Sequence, residues 1–149
     1  MRLTVVGCSG SVVGAHTPAS CYLLQSATHR PIIMDIGNGS MGGLQDLVDP
    51  SDCDLVLSHL HPDHIADISS LIVWRRYSHK STNTPATVLG PSTFLEKVGN
   101  GLRTITGRVT TSPIRLISTH GISPHPRVLA ASHSRLFVPT IRVKHIVCG

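Results

Sequence analysis

Asp54-Leu55-Val56-Leu57-Ser58-His59-Leu60-His61-Pro62-Asp63-His64 joins a short apolar run to a dense group of ligand-bearing side chains. Leu55 to Leu57 has the length and apolar character of a buried strand. The histidines then emerge at its carboxyl end, where α/β proteins usually place their sites. Pro62 suits the first position of a helix, whose leading N–H groups are unpaired in any case, and Asp63 and His64 fall in that helix's first turn. His59, His61, Asp63 and His64 are therefore four potential ligands within six residues, spaced H-x-H-x-D-H. Imidazole nitrogens and carboxylate oxygens are the donors that zinc and similar borderline cations accept. Three such donors plus an open position make a bound water acidic enough to attack at neutral pH, so the spacing points to a binuclear metal site and to hydrolysis. The plainer alternative is a histidine-rich strand-to-helix turn in which Asp63 only favours the helix N-terminus. Against it stands the clustering of three of the ten histidines beside a carboxylate.

Working outward, Leu3 to Val6, Cys21 to Leu24 and Ile32 to Met34 are short runs rich in β-branched residues, separated by Gly, Ser, Pro and Thr. They predict three strands joined by turns. After Asp35, Gly37, Gly39, Gly42 and Gly43 predict either a loop passing close to another part of the chain or a plain flexible turn. Beyond the motif, Ile65 to Tyr77 predicts a helix with Ile68, Leu71, Ile72 and Trp74 on its apolar face. Its end carries Arg75 and Arg76, read as a solvated basic face or, second, as phosphate contacts. Asp67 is either an outer partner of the motif or a solvated helix residue. Thr87 to Pro91 predicts a further strand and turn. Cys8 is expected as an inert thiol, and the four cysteines show no C-x-x-C spacing that demands disulfides.

The motif resembles the signature of the metallo-β-lactamase superfamily, and the resemblance extends over roughly residues 1 to 95. Met1-Arg2-Leu3-Thr4-Val5-Val6-Gly7-Cys8-Ser9-Gly10-Ser11, Ser20-Cys21-Tyr22-Leu23-Leu24 and Ile32-Ile33-Met34-Asp35-Ile36-Gly37-Asn38-Gly39 are similar to the opening strands of its ribonuclease Z and cyclic-nucleotide phosphodiesterase branch. The resemblance implies an α/β (α+β) fold, a four-layer αββα sandwich. It also implies hydrolysis of phosphodiester, ester or thioester bonds by a hydroxide shared between two metals, zinc first and Mn2+ or Fe2+ as alternatives. By the same resemblance His59 and His61 hold the first metal, Asp63 and His64 the second, and Asp63 orients or deprotonates the attacking water. A strand resembling the family's bearer of a third ligand runs from Leu136 and ends at His145, which is the candidate for that role beside a plain surface-histidine reading. His120, His125 and His133 are read as loop residues.

The chain changes character near residue 97. All eight acidic residues lie in 1–96, while 97–149 has none and holds eight of the thirteen basic residues, for formal charges of −3 and +8. At average composition about six acidic residues would be expected there. Residues 1–96 are thus read as the N-terminal half of a metallo-β-lactamase-like domain and 97–149 as a basic, atypical segment. Three readings of that segment compete: nucleic-acid binding, a divergent half-domain, and a stretch out of frame or decayed, the last being preferred. The basic residues are scattered singly and Phe137 is the segment's only aromatic, so no base-stacking platform is present.

A sandwich of two sheets and flanking helices needs more than 149 residues. The expectation is therefore a first half that ends before the family's metal-bridging Asp and last His. A metal-dependent hydrolase acting on a small phosphodiester or RNA is the first functional reading. A non-catalytic remnant, or a module binding nucleic acid or a partner through its basic tail, is the second, and a homodimer would be one route to a complete site. The opening residues lack the continuous apolar core of a signal peptide, and no run approaches a membrane span, so the default location is cytoplasmic.

Overall fold

Alternation of buried and half-buried side chains along each β-branched run builds one sheet. The computed structural model describes residues 1–80, 86–94, 96–99, 114–118 and 142–144, the last two segments by backbone alone. Its strands are β1 (Arg2–Gly7), β2 (Cys21–Gln25), β3 (Ile32–Ile36), β4 (Asp54–Val56), β5 (Ala86–Gly90), β6 (Ile114–Ser118) and β7 (Arg142–Lys144). They lie in the order β6-β5-β4-β3-β2-β1-β7. β1, β2 and β3 pair antiparallel, whereas β3 through β6 run parallel, and β7 lies parallel to β1. The helices are α1 (Ser40–Gln45), α2 (Pro62–Ile65) and α3 (Ile68–Tyr77), with a 3-10 turn at Pro50–Asp52.

One face of the sheet carries the core. Cys21 and Leu23 of β2, Ile33 of β3, Leu55 of β4 and Val88 of β5 are buried with Leu44 of α1 and with Ile68 and Leu71 of α3. Ile72 and Trp74 pack against this cluster half-buried, so all four residues expected on the helix's apolar face turn inward. The opposite face is apolar too. Val5, Tyr22, Met34, Val56 and Leu89 register as one row across five neighbouring strands, and Met34 keeps 39% of its surface exposed. A sheet apolar on both faces suits a layered sandwich.

The expected single helix from Ile65 to Tyr77 is two. At Ala66 and Asp67 the ladder breaks, because the Asp67 N–H donates to Ile36 O of β3 instead of to the carbonyl four residues back. Asp67 Oδ2 accepts the Met41 N–H of α1 at 2.9 Å. Asp67 therefore ties β3, α1 and α3 together and is not a solvated helix residue. Within the glycine-rich stretch after Asp35 the loop is confined to Gly37–Gly39, and Ser40–Gln45, which holds Gly42 and Gly43, is helical. Arg75, half-buried, turns to the 3-10 turn and donates to Ser51 O. The thiols of Cys21 and Cys53 are pushed up to about 12 by burial and are inert. Cys8, expected as an inert thiol, is disulfide-bonded. No helix among the described residues is long and apolar enough to cross a membrane. His145 and most of the strand expected from Leu136, as well as His120, His125 and His133, lie outside the described residues, Arg142–Lys144 being the described part.

Asp49 anchors the helical layer. Burial pushes its carboxyl up, but hydrogen bonds from Trp74 Nε1, the Ser51 N–H and Ser51 Oγ outweigh it and hold the group below the ordinary carboxylate range. A carboxyl depressed in the folded state adds stability above its unfolded pKa and loses it as pH falls through the folded value. Asp49→Asn is therefore expected to be less stable than the native chain at pH 7. The gap should shrink as pH drops below the ordinary carboxylate value, read by urea unfolding at a series of pH values; a gap independent of pH would contradict it.

Candidate metal centre

β4 ends at Val56, and the chain then bends at Ser58 beyond the carboxyl end of the strand. Leu57 and Leu60 point into the core, which leaves His59 and His61 on the open side of the turn. His61 has extended backbone geometry as the N-cap of α2, with Pro62 in the first helical position as expected. The His64 N–H returns to His61 O at 3.0 Å. This tight turn brings the three imidazoles together: His59 lies 4.6 Å from His61 and 3.9 Å from His64 between ring centroids. Asp63 joins them, its Oδ2 standing 3.5 Å from His64 Nε2. Lys97 Nζ donates to Leu60 O at 2.6 Å, bracing the turn between the first two histidines.

The organising residue is one the sequence analysis did not assign to the site. Asp35, near the end of β3, is 7% exposed and has a φ of 57°, a left-handed conformation uncommon outside glycine. Such strain, about 1–3 kcal/mol, persists only where the surroundings enforce it. Three donors do so. Oδ1 accepts the Ser58 N–H at 2.8 Å, and Oδ2 accepts Ser58 Oγ at 2.7 Å and His64 Nδ1 at 2.8 Å. With its Nδ1 proton held by a carboxylate, neutral His64 presents an Nε2 lone pair, the arrangement common among metal-binding histidines. The signal available in the sequence was a carboxylate closing an apolar strand, since a buried charge requires partners.

The donor chemistry, imidazole nitrogens beside a carboxylate, suits a zinc-type cation. Donors about 2.1 Å from a tetrahedral centre lie about 3.4 Å apart, close to the 3.5 Å between His64 Nε2 and Asp63 Oδ2. Among the described residues no group of three such donors is arranged to hold a metal ion.

The backbone approach is as tight as the polar network. A Cβ on Gly37 would lie 2.0 Å from Asp63 O, the carbonyl that the break between α2 and α3 leaves outside the helical ladder. The glycine-rich segment thus does pass close to another part of the chain, and that part is the motif. Gly37→Ala is expected to displace the turn or β3 and to cost about 1–3 kcal/mol. Chemical denaturation tests it, with Gly42→Ala as control because nothing lies within 4 Å of that position; equal effects would contradict the close-approach reading.

No family model matches the chain. Over 99 residues it is 46% identical to the uncharacterised protein Rv1339 of Mycobacterium tuberculosis, a match covering 66% of this chain and 36% of that protein. It is 40% identical over 72 residues to the probable metallo-hydrolase YhfI of Bacillus subtilis, covering 48% of this chain and 29% of YhfI. A match at 23% identity over 92 residues, 56% of this chain and 11% of the relative, is to a zinc phosphodiesterase ELAC protein 2 homolog of Caenorhabditis elegans. Among solved structures, the metallo-β-lactamase fold protein YhfI superposes with a TM-score of 0.62 at 26% identity, covering 78% of this chain and 44% of YhfI. The short form of human tRNase Z superposes with a TM-score of 0.60 at 16% identity, again over 78% and 44%, and shows the shared fold. The chain spans about a third of the mycobacterial relative's length and less than half of either solved structure.

Proposed function

The chain belongs to the metallo-β-lactamase superfamily, matching part of the length of its members, and from that premise we propose that it carries half the site of a metal-dependent phosphodiester hydrolase. The observation that carries the reading is the gathering of His59, His61, His64 and Asp63 at the carboxyl end of β4, with His64 oriented by Asp35. In this reading His59 and His61 hold a first cation, and Asp63 and His64 a second. Zinc fits the nitrogen and oxygen donors, with Mn2+ or Fe2+ as alternatives. When bound, such cations polarise a phosphoryl oxygen and lower the pKa of water.

The chain's own residues then have distinct tasks. The imidazoles bind through unprotonated nitrogens. Asp63, half-buried at the start of α2, orients the attacking water or takes its proton. Asp35 keeps the His64 ring from turning, and Lys97 and Gly37 hold the turn in place. A small phosphodiester or RNA is the substrate class, supported by the zinc phosphodiesterase and tRNase Z relatives. His145 remains the candidate third ligand of the first cation.

Metal content of the purified 149-residue chain after dialysis against a weak chelator tests the reading. About two equivalents of zinc, lost in His59→Ala and in Asp63→Ala, are expected of a site completed by further ligands from this chain or a second copy. Hydrolysis of a chromogenic phosphodiester should fall with them. Near-zero metal, unchanged in either variant, would overturn the proposal and favour a remnant without metal chemistry.

A further inference from the structure

Ser58 stands between the site's carboxylate and two of its histidines. Its hydroxyl oxygen lies 2.7 Å from Asp35 Oδ2, 3.0 Å from His59 Nδ1 and 3.4 Å from His64 Nδ1. A serine hydroxyl has one proton and two acceptor lone pairs, whereas an ionised carboxylate only accepts. The shortest of the three contacts is to the carboxylate, so the single proton goes to Asp35, and charge-assisted bonds of this kind are the stronger ones. Ser58 Oγ can then meet His59 only as an acceptor. Neutral His59 must therefore carry its proton on Nδ1 and its lone pair on Nε2.

We propose that Ser58 is a positioning residue that selects this tautomer of His59. One buried carboxylate thereby sets the nitrogen offered by two histidines, His64 directly and His59 through the serine hydroxyl. The opposite tautomer would set two acceptors against each other at 3.0 Å and turn an N–H, not a lone pair, toward a cation. The value of this choice for function rests on His59 being a metal ligand. The choice itself requires no metal.

Long-range 1H–15N correlation spectra of the metal-free 149-residue chain separate the two tautomers. They are recorded at roughly pH 8.5, about two units above the ordinary histidine pKa, with rings assigned by single histidine variants. His59 and His64 are both expected in the Nδ1–H form. Ser58→Ala should move His59 to the Nε2–H form and leave His64 where it is, while Ser58→Thr, which keeps the hydroxyl, should retain the native pattern. Titration with zinc should show affinity about tenfold weaker in Ser58→Ala and near native in Ser58→Thr. An Nε2–H form of His59 in the native chain, or a His59 indifferent to Ser58→Ala, would overturn the inference. Tautomers that behave as expected in a chain that binds no zinc would uphold it while the hydrolase reading fails. Zinc binding with His59 indifferent to Ser58 would do the reverse.

Discussion

A single buried carboxylate holds the site together. Asp35 takes a backbone N–H, a hydroxyl and an imidazole N–H from residues at the end of the next strand, and a carboxylate withdrawn from water is tolerable only with partners of that kind. Those bonds also offset the left-handed backbone that Asp35 adopts. The carboxylate and its strain serve the same purpose: they aim both oxygens at the strand end from which the histidines project.

Backbone contacts complete what the carboxylate begins. The Asp67 N–H leaves the helical ladder for Ile36 O, so the carbonyl of Asp63 is free of the helix and comes to rest against Gly37. The break between α2 and α3 and the missing side chain at residue 37 are two halves of one fitting. Through Asp67 the same fitting reaches α1. The polar turn is thereby clamped from β3, from α1 and, by way of Lys97 on Leu60 O, from the segment after β5.

Much of this was legible in the sequence. The strands up to β5 announced themselves by short β-branched runs, and the H-x-H-x-D-H spacing with Pro62 located the turn and its donors. Asp35 was passed over because a carboxylate closing an apolar strand looks like an ordinary loop boundary until its donors, up to 29 residues away, are seen. Asp67 was ambiguous for a similar reason: helical periodicity continues through it, and only the competing acceptor on β3 breaks the helix. Arg75 sits where a helix dipole welcomes positive charge, which hid its use as a donor to the 3-10 turn. In each case local pattern gave the element, and a long-range hydrogen bond decided what the side chain does within it.

The parallel pairing of β3 with β4 has a consequence for how the site can fail. Its carboxylate lies on one strand and its hydroxyl and imidazoles follow the other, so no short peptide containing the histidine motif alone reproduces the arrangement. β4 is only three residues long, and peeling it from β3 would scatter every donor in one event. Opening of that strand pair and dispersal of the histidine cluster from its carboxylate would thus go together, and amide exchange at Ser58 would report both.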